Sequence, residues 1–161
     1  MKKLKIGVSA CLIGLKYRYD GSSRMDAELI RLLGDKVDFI PVCPEWECGL
    51  SIPRPPMRLV LSPKGTRLRE CESGADHTDE LLAWAEEKLE QLDRRDIAAF
   101  LFKSKSPSCG CGSAKLFAPS GRCIRENGSG IFAKVLTTRF PNMIVGEEIA
   151  LKEFAGKLGL L

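Results

Sequence analysis

Short apolar runs that alternate with helical patterns are the feature of this sequence that most constrains its fold. Residues 97–102 (IAAFLF) are apolar throughout, as a strand buried on both faces must be. Strands of this kind are typical of a parallel sheet covered by helices. The predicted strands are residues 4–9, 37–42, 57–61, 97–102 and 142–145, and the predicted helices are residues 25–33, 79–92, 130–139 and 147–159.

This alternation predicts the α/β class, with a doubly wound, Rossmann-like, mainly parallel sheet and helices on both faces. We expect a single domain over residues 1–161, because the chain has the length of one domain and shows no repeat or linker. Gly34 is predicted to end the first helix, and Thr78 to cap the second. Residues 43–56 contain four prolines and are predicted to form an irregular loop, which at this length is usually functional.

Composition narrows the class of protein. The net charge of +4 suits an anionic small molecule and, without a basic tail, argues against a large RNA partner. No segment approaches the roughly 20 apolar residues that a membrane helix needs. The seven cysteines are an odd number in a chain without an export signal, which favours metal binding or thiol chemistry in a reducing cytoplasm over disulfides. Nothing in the sequence indicates the oligomeric state.

Three cysteines follow predicted strands at the point where each strand ends. Cys11 follows the first strand, Cys43 the second, and Cys109 follows residues 97–102 through the loop KSKSPSCG. Ligands of open α/β sheets bind beyond the carboxyl ends of the strands, so we expect these thiols to share one edge and to hold a metal centre. For any one cysteine, the alternative is a small buried hydrophobe.

Polar side chains beside these thiols are candidates for catalysis and substrate binding. Glu45 follows Cys43 in the proline-rich loop, and a carboxylate beside a metal can take a proton from water. Turn closure and solvated surface charge are the alternatives for the others. The candidates are Glu45, Ser104 and Ser106 for catalysis, with both serines placed ahead of Ser108, and Asp20, Arg54, Lys103 and Ser108 for substrate contact. Gly128 and Gly130 before a predicted helix are a weak anion-binding signal.

The motifs VSACLIG…YRYDG, PVCPEWECGLSIPRPP and FKSKSPSCG together resemble the thiouracil desulfidase family. The resemblance covers nearly the whole chain in the same order. It implies a [4Fe-4S] cluster held by Cys11, Cys43 and Cys109, with one iron left open to the sulfur of a thiolated pyrimidine. It also implies hydrolytic, non-redox cleavage of the carbon–sulfur bond of a base or nucleotide, with Glu45 as the base that activates water.

Two cysteines depart from the family pattern. Cys48 and Cys111 are extra thiols near the predicted ligands, and either would close the open iron if it served as a fourth ligand. Two other functions stay open at this point. One is a non-catalytic metal or sulfur-carrier protein, and the other is a thiol redox enzyme that uses Cys109 and Cys111. Cys71, Cys123 and His77 have no supporting groups and are expected to be bystanders.

Overall fold

Two sheets and five helices make up the fold of residues 2–161, which are the residues described by the computed structural model. Single 3₁₀ turns at Ala10–Ile13 and Glu148–Ala150 complete the regular structure of this part of the chain. In chain order the elements are β1 (Leu4–Ser9), α1 (Ala27–Leu33), β2 (Val37–Val42), α2 (Pro44–Glu47), β3 (Met57–Ser62), β4 (Gly65–Glu70), α3 (Thr78–Arg94), β5 (Ala99–Phe102), β6 (Cys111–Phe117), β7 (Cys123–Ser129), α4 (Ile131–Arg139), β8 (Ile144–Glu147) and α5 (Leu151–Lys157).

The first sheet is parallel, with the strand order β2-β1-β5-β8. Strand β1 pairs with β2 from Leu4 opposite Val37 to Ser9 opposite Val42, and with β5 on its other side. The chain therefore first adds a strand on one side of β1 and later adds two on the other side. This reversal leaves a crevice at the carboxyl ends of β1 and β5, which is where such sheets bind ligands. The predicted α/β class with a parallel sheet is confirmed.

Helices cover both faces of this sheet, as predicted. Alternate side chains of β1 and β5, including Ile6 and Leu101, pack against α1 and α5 on one face. On the other face the rings of Phe100 and Phe102 pack against α3 and α4. Phe100 is fully buried, and burying a side chain of this size stabilises a fold by about 1.5–3 kcal/mol.

A second sheet was not predicted. It has the order β4-β3-β6-β7 and contains both parallel and antiparallel pairs. The strand predicted at residues 57–61 belongs to this sheet and not to the main one. Antiparallel strands with one solvated face need few apolar residues, and here Leu68 and Ala114 are the fully buried residues of β4 and β6. The polar sequences of β4, β6 and β7 therefore carried too little apolar signal.

Several helix boundaries also differ from the prediction. Helix α1 begins at Ala27, because the Asp26 carboxylate accepts a hydrogen bond from the Leu29 N–H at 2.9 Å. Thr78 does not cap α3, since its hydroxyl accepts the Leu68 N–H of β4 at 2.7 Å. The helix expected over residues 147–159 is regular only from Leu151. Among residues 2–161, no helix has the length and apolar character needed to cross a bilayer.

Candidate metal centre

A cavity of about 360 Å³ opens at the carboxyl ends of β1, β2 and β5. It lies at the reversal point of the strand order, between the loops that follow these three strands. The side chains that give it chemical character are sulfhydryl, hydroxyl, carboxylate and cationic groups. The lining includes Ser9, Cys11, Tyr17, Arg24, Cys43, Glu45, Arg54, Lys103, Ser104, Lys105, Ser106, Ser108 and Cys109.

Three cysteines from separate segments line this cavity. Cys11 lies in the 3₁₀ turn after β1, Cys43 connects β2 to α2, and Cys109 lies in the loop between β5 and β6. Cys109 is 5% exposed, whereas the other two are half-buried. The structure thus brings together the three cysteines that the sequence placed at one sheet edge.

The arrangement of these thiols distinguishes a cluster from a single ion. Among residues 2–161, no group of three or more His, Cys, Asp or Glu side chains is placed to hold one metal ion. A zinc ion needs all its sulfur ligands about 2.3 Å from one point. A [4Fe-4S] cluster takes each thiolate on a different iron, so its ligands stand farther apart around a shared volume. Three cysteines that line one cavity are compatible with the spacing of cluster ligands.

Burial raises the pKa of all three thiols. Desolvation raises the pKa of Cys43 to about 11 and raises those of Cys11 and Cys109 as well. The nearby charge of Lys103 lowers the pKa of Cys11, and a hydrogen bond with Ser9 lowers that of Cys109, but burial outweighs both effects. Thiolates at this site therefore need a bound cationic group to compensate their charge.

The other four cysteines do not line the cavity in the described part of the chain. The Cys48 thiol donates a hydrogen bond to the Glu45 carbonyl at 3.3 Å, and Cys111 begins β6. Cys71 and Cys123 are exposed. Within the described residues, three cysteines therefore line the cavity and no fourth does.

Glu45 lies in the cavity with each carboxylate oxygen on a different partner. Its Oε1 accepts a hydrogen bond from Arg54 Nε at 2.9 Å, and its Oε2 accepts one from the Ser108 hydroxyl at 2.9 Å. Pro44 begins the single turn of α2, a position that suits its fixed φ. Glu47 fastens this turn by accepting the Cys43 N–H at 2.7 Å and a hydrogen bond from Lys88 at 2.9 Å. Glu45 is thereby held beside the thiols where a general base is useful.

The three serines of the KSKSPSCG loop have different surroundings. The Ser106 and Ser108 hydroxyls lie 3.1 Å apart, and Ser106 also accepts the backbone N–H groups of Ser108 and Cys109. Because Ser108 donates to Glu45, Ser106 must donate to Ser108. Ser104 instead donates to Glu148. Ser106, Ser108 and Glu45 are thus joined by successive hydrogen bonds. The sequence had instead placed Ser104 and Ser106 ahead of Ser108 as candidate catalytic residues.

The loop carrying Cys109 is held in place by groups that the sequence did not single out. The backbone N–H groups of Ile131, Phe132 and Ala133 at the start of α4 donate to the carbonyls of Pro107 and Ser108. These free donors serve the loop and not an anion. A Cβ on Gly130 would lie 2.5 Å from the Ser108 carbonyl oxygen, so only glycine permits this close approach.

Two consecutive carboxylates at the end of β8, Glu147 and Glu148, hold the same loop from the other side. Glu148 accepts hydrogen bonds from the Ser104 N–H and from Lys103 Nζ, and Glu147 accepts the Cys111 N–H at 2.9 Å. Burial alone would raise the pKa of Glu148, but these donors hold it below its ordinary value. Sequence analysis assigned both carboxylates to a helix. Their position at the end of a short strand is the signal that could have revealed them.

The predicted substrate contacts are mostly engaged within the protein. Asp20 does not line the cavity, and it accepts hydrogen bonds from the Ser22 N–H and hydroxyl, which closes a turn. Lys103 lines the cavity, but its ammonium group bonds Glu148 at 3.0 Å. Arg54 also lines the cavity and bonds Glu45. Arg24 and Lys105 are exposed cavity-lining cations without a carboxylate within salt-bridge distance in the described structure.

Comparisons with known proteins agree with the motif resemblance. The structure of the [4Fe-4S]-dependent thiouracil desulfidase TudS matches with a TM-score of 0.78 at 34% identity, covering 99% of this chain and 100% of that one. The protein YbbK of Bacillus subtilis (strain 168) is 34% identical over 134 residues, covering 80% of this chain and 87% of that protein. A model of the 2-thiouracil desulfurase family matches residues 6–148. This match spans most of the sequence, and the chain belongs to the 2-thiouracil desulfurase family.

Proposed function

We propose that this protein is a [4Fe-4S]-dependent thiouracil desulfidase, which converts a thiolated pyrimidine and water into the oxygenated pyrimidine and hydrogen sulfide. One observation carries the proposal, namely three thiols from separate segments that line one cavity together with the Glu45 carboxylate. Family membership and the likeness to TudS support the same activity.

Cys11, Cys43 and Cys109 would hold the cluster. When bound through three thiolates, the cluster supplies one open iron, a thiophilic Lewis acid that draws electrons from a carbon–sulfur bond. Cys48 and Cys111 stay outside the ligand set, because neither lines the cavity.

Glu45 would accept the proton of the water that attacks the ring carbon. The orientation of the hydrogen bonds gives it a route, since Ser106 donates to Ser108 and Ser108 donates to Glu45 Oε2. A proton given up by water to Ser106 can therefore reach Glu45 through Ser108. The two backbone N–H groups that bond the Ser106 oxygen compensate negative charge there. The reaction is a hydrolysis in which water supplies the oxygen and both protons, so it needs no electron donor.

A small molecule suits the cavity better than a nucleic acid. Its volume of about 360 Å³ is that of a small-ligand pocket. Free thiouracil has no phosphate and therefore needs no cationic partner for one. A thiouridine nucleotide carries a phosphate that does. Arg24 and Lys105 are the cations we propose for that phosphate, because both are exposed at the cavity and neither forms an ion pair in the described structure.

Anaerobic reconstitution followed by a sulfide-release assay tests this function. The reconstituted protein should be brown and should release sulfide from thiouracil or thiouridine monophosphate. Glu45→Gln should keep its iron and lose activity by about 10²–10⁴-fold, the usual contribution of a general base. Cys71→Ala, which alters an exposed thiol, serves as the matched control for cysteine-to-alanine changes at the three proposed ligands.

Two results would contradict the proposal. Full turnover by Glu45→Gln would remove Glu45 from the reaction. A colourless protein with stoichiometric zinc and no sulfide release on either substrate would favour a non-catalytic metal protein.

A further inference from the structure

Arg54 is a buried arginine that none of the roles above explains. It is 9% exposed, lies on the proline-rich loop after α2, and lines the cavity. A charge this deeply buried is tolerated only when its donors are paired. Its partners therefore indicate its function.

Each nitrogen of the Arg54 guanidinium already has a protein acceptor. Nε donates to Glu45 Oε1 at 2.9 Å, Nη2 donates to the Tyr17 carbonyl at 2.9 Å, and Nη1 donates to the Ser51 carbonyl at 3.2 Å. Glu45 and Ser51 lie on the same stretch as Arg54, residues 43–56, whereas Tyr17 lies on the loop that follows β1. These bonds use three of the five N–H donors of the guanidinium and fix its plane, unlike the unpaired Arg24 and Lys105.

The same segments are joined by an aromatic contact. The rings of Tyr17 and Trp46 are stacked with their centroids 4.3 Å apart, and Trp46 adjoins Glu45 on α2. The Tyr17 carbonyl that accepts the hydrogen bond from Arg54 Nη2 also accepts one from the Cys43 thiol, at 3.7 Å. Arg54 is therefore the centre of a fixed arrangement that places Glu45 relative to the loop after β1.

We propose that Arg54 is a positioning residue for Glu45 and not the substrate contact predicted from the sequence. By binding Oε1, the guanidinium fixes the rotation of the carboxylate so that Oε2 faces Ser108. The planar guanidinium is held by the carbonyls that Nη1 and Nη2 bond, so its Nε stays aligned with Oε1. A lysine ammonium has no such fixed plane. The inference rests on the proposed function only where it is tested through turnover.

The first test compares Arg54→Lys and Arg54→Met with the wild type in the reconstituted enzyme. Arg54→Lys keeps the charge but loses the fork, so we expect kcat to fall about 10²-fold, the cost of a misplaced catalytic group. KM should change less than about threefold on both thiouracil and thiouridine monophosphate, because the substitution removes no contact that binds the substrate and the transition state equally. Iron content should stay at the wild-type value. Arg67→Lys, which alters an ion pair outside the cavity, should lower stability and leave kcat unchanged.

The second test uses cluster-free protein and does not depend on activity. Arg54→Met, Glu45→Gln and the double variant form a thermal-unfolding cycle. Breaking a buried pair should lower Tm by on the order of 5 °C in each single variant, and the double variant should lose clearly less than the sum. Additive losses would show that the two side chains do not act together.

Three further results overturn the inference. They are wild-type kcat in Arg54→Lys, a raised KM with unchanged kcat, and loss of iron in Arg54→Lys. A wild-type protein without activity on any thiolated pyrimidine would refute the proposed function instead, and the unfolding cycle would still decide the role of Arg54.

Discussion

At the scale of single residues, the hydrogen bonds at the cavity divide its polar side chains into two sets. Ser106 and Ser108 lead toward Glu45, whereas Ser104 and Lys103 bond Glu148. The three serines and Lys103 lie within a few positions of one another on the loop that follows β5. The partner to which each of these groups donates its hydrogen bond, and not its chemical type, decides the set to which it belongs.

Alanine substitutions in the loop serines test this separation. Ser106→Ala and Ser108→Ala each break the proton route, so we expect kcat for sulfide release to fall by about 10²-fold, at the lower end of acid–base contributions. Ser62→Ala, in the turn between β3 and β4, is the control with unchanged kcat. A loss in Ser104→Ala as large as in Ser106→Ala would instead assign the hydroxyl role to Ser104.

The sequence was sufficient to place Cys11, Cys43 and Cys109 at one edge, because Cys11 and Cys43 closely follow predicted strands and Cys109 follows one through a short loop. It could not rank the serines, because their order depends on the rotamers of Ser106 and Ser108 and on where Glu45 meets them. It also could not show that Arg54 is buried, since prolines flank it in a segment without periodicity. Hydrogen bonds between residues of different loops leave no recognisable pattern in the local sequence.

At the scale of elements, the start of α4 supports the Cys109 loop through backbone groups alone. A helix leaves its first N–H groups unpaired, and here Pro107 and Ser108 supply the acceptors. The contact requires Gly130, which brings the two backbones together. Sequence analysis noted this glycine but could not identify what approaches it, because the approach is made by carbonyls of a different segment.

Gly130→Ala should therefore damage both the fold and the metal centre. Its Cβ would lie 2.5 Å from the Ser108 carbonyl oxygen and 2.8 Å from the Cys109 nitrogen, both backbone atoms that cannot simply rotate away. We expect a loss of about 1–3 kcal/mol in the free energy of unfolding and a lower iron content after reconstitution. Gly156→Ala inside α5 is the matched control, with normal iron and equal or higher stability. Normal iron and stability in Gly130→Ala would show that the loop adapts freely.

The start of α3 gives a prediction about pH. Partial burial alone would raise the pKa of Asp76, but hydrogen bonds from Arg67, the Thr78 N–H and Arg69 hold it well below its ordinary value. A depressed carboxyl pKa contributes stability above its unfolded value near 4, and this contribution is lost as the pH falls toward the folded value. We expect Asp76→Asn to cost about 1–2 kcal/mol at pH 7 and progressively less below about pH 4.

Chemical denaturation between pH 3 and pH 7 measures this effect. Asp79→Asn is the control, since Asp79 also contacts Arg67 but its side chain is 84% exposed. Its cost should be small at every pH. A cost for Asp76→Asn that stays constant between pH 3 and pH 7 would contradict the assignment.

At the scale of the whole molecule, the parallel sheet was predictable and the second sheet was not. Residues 97–102 are apolar throughout and so require burial on both faces, which leaves few alternatives to a covered parallel sheet. Strands β6 and β7 have no comparable requirement, and most of β7 is exposed. Their pairing depends on β3 and on each other, and no run of their own residues indicates it.

Gly7 lies where the central strands of the parallel sheet are packed most tightly. A Cβ at this position would lie 2.6 Å from Cε2 of Phe100, whose ring is fully buried between α3 and α4 and has no room to move. Gly7→Ala should lose about 1–3 kcal/mol, or Tm by about 2–12 °C. Adding Phe100→Leu removes the clash, so the double variant should lose less than the sum of the two single losses. Additive losses would show that the clash is relieved elsewhere.

The position of β1 at the centre of the parallel sheet determines when this protein can be completed during synthesis. Its neighbour β5 ends at Phe102, and the third cavity cysteine is residue 109. A nascent chain that has passed Cys43 must therefore wait until Phe102 has been added before its inner strand gains both partners. Until then Cys11 and Cys43 stand on an unfinished sheet edge, so a cluster held by all three proposed ligands would have to be inserted late in translation or after release from the ribosome.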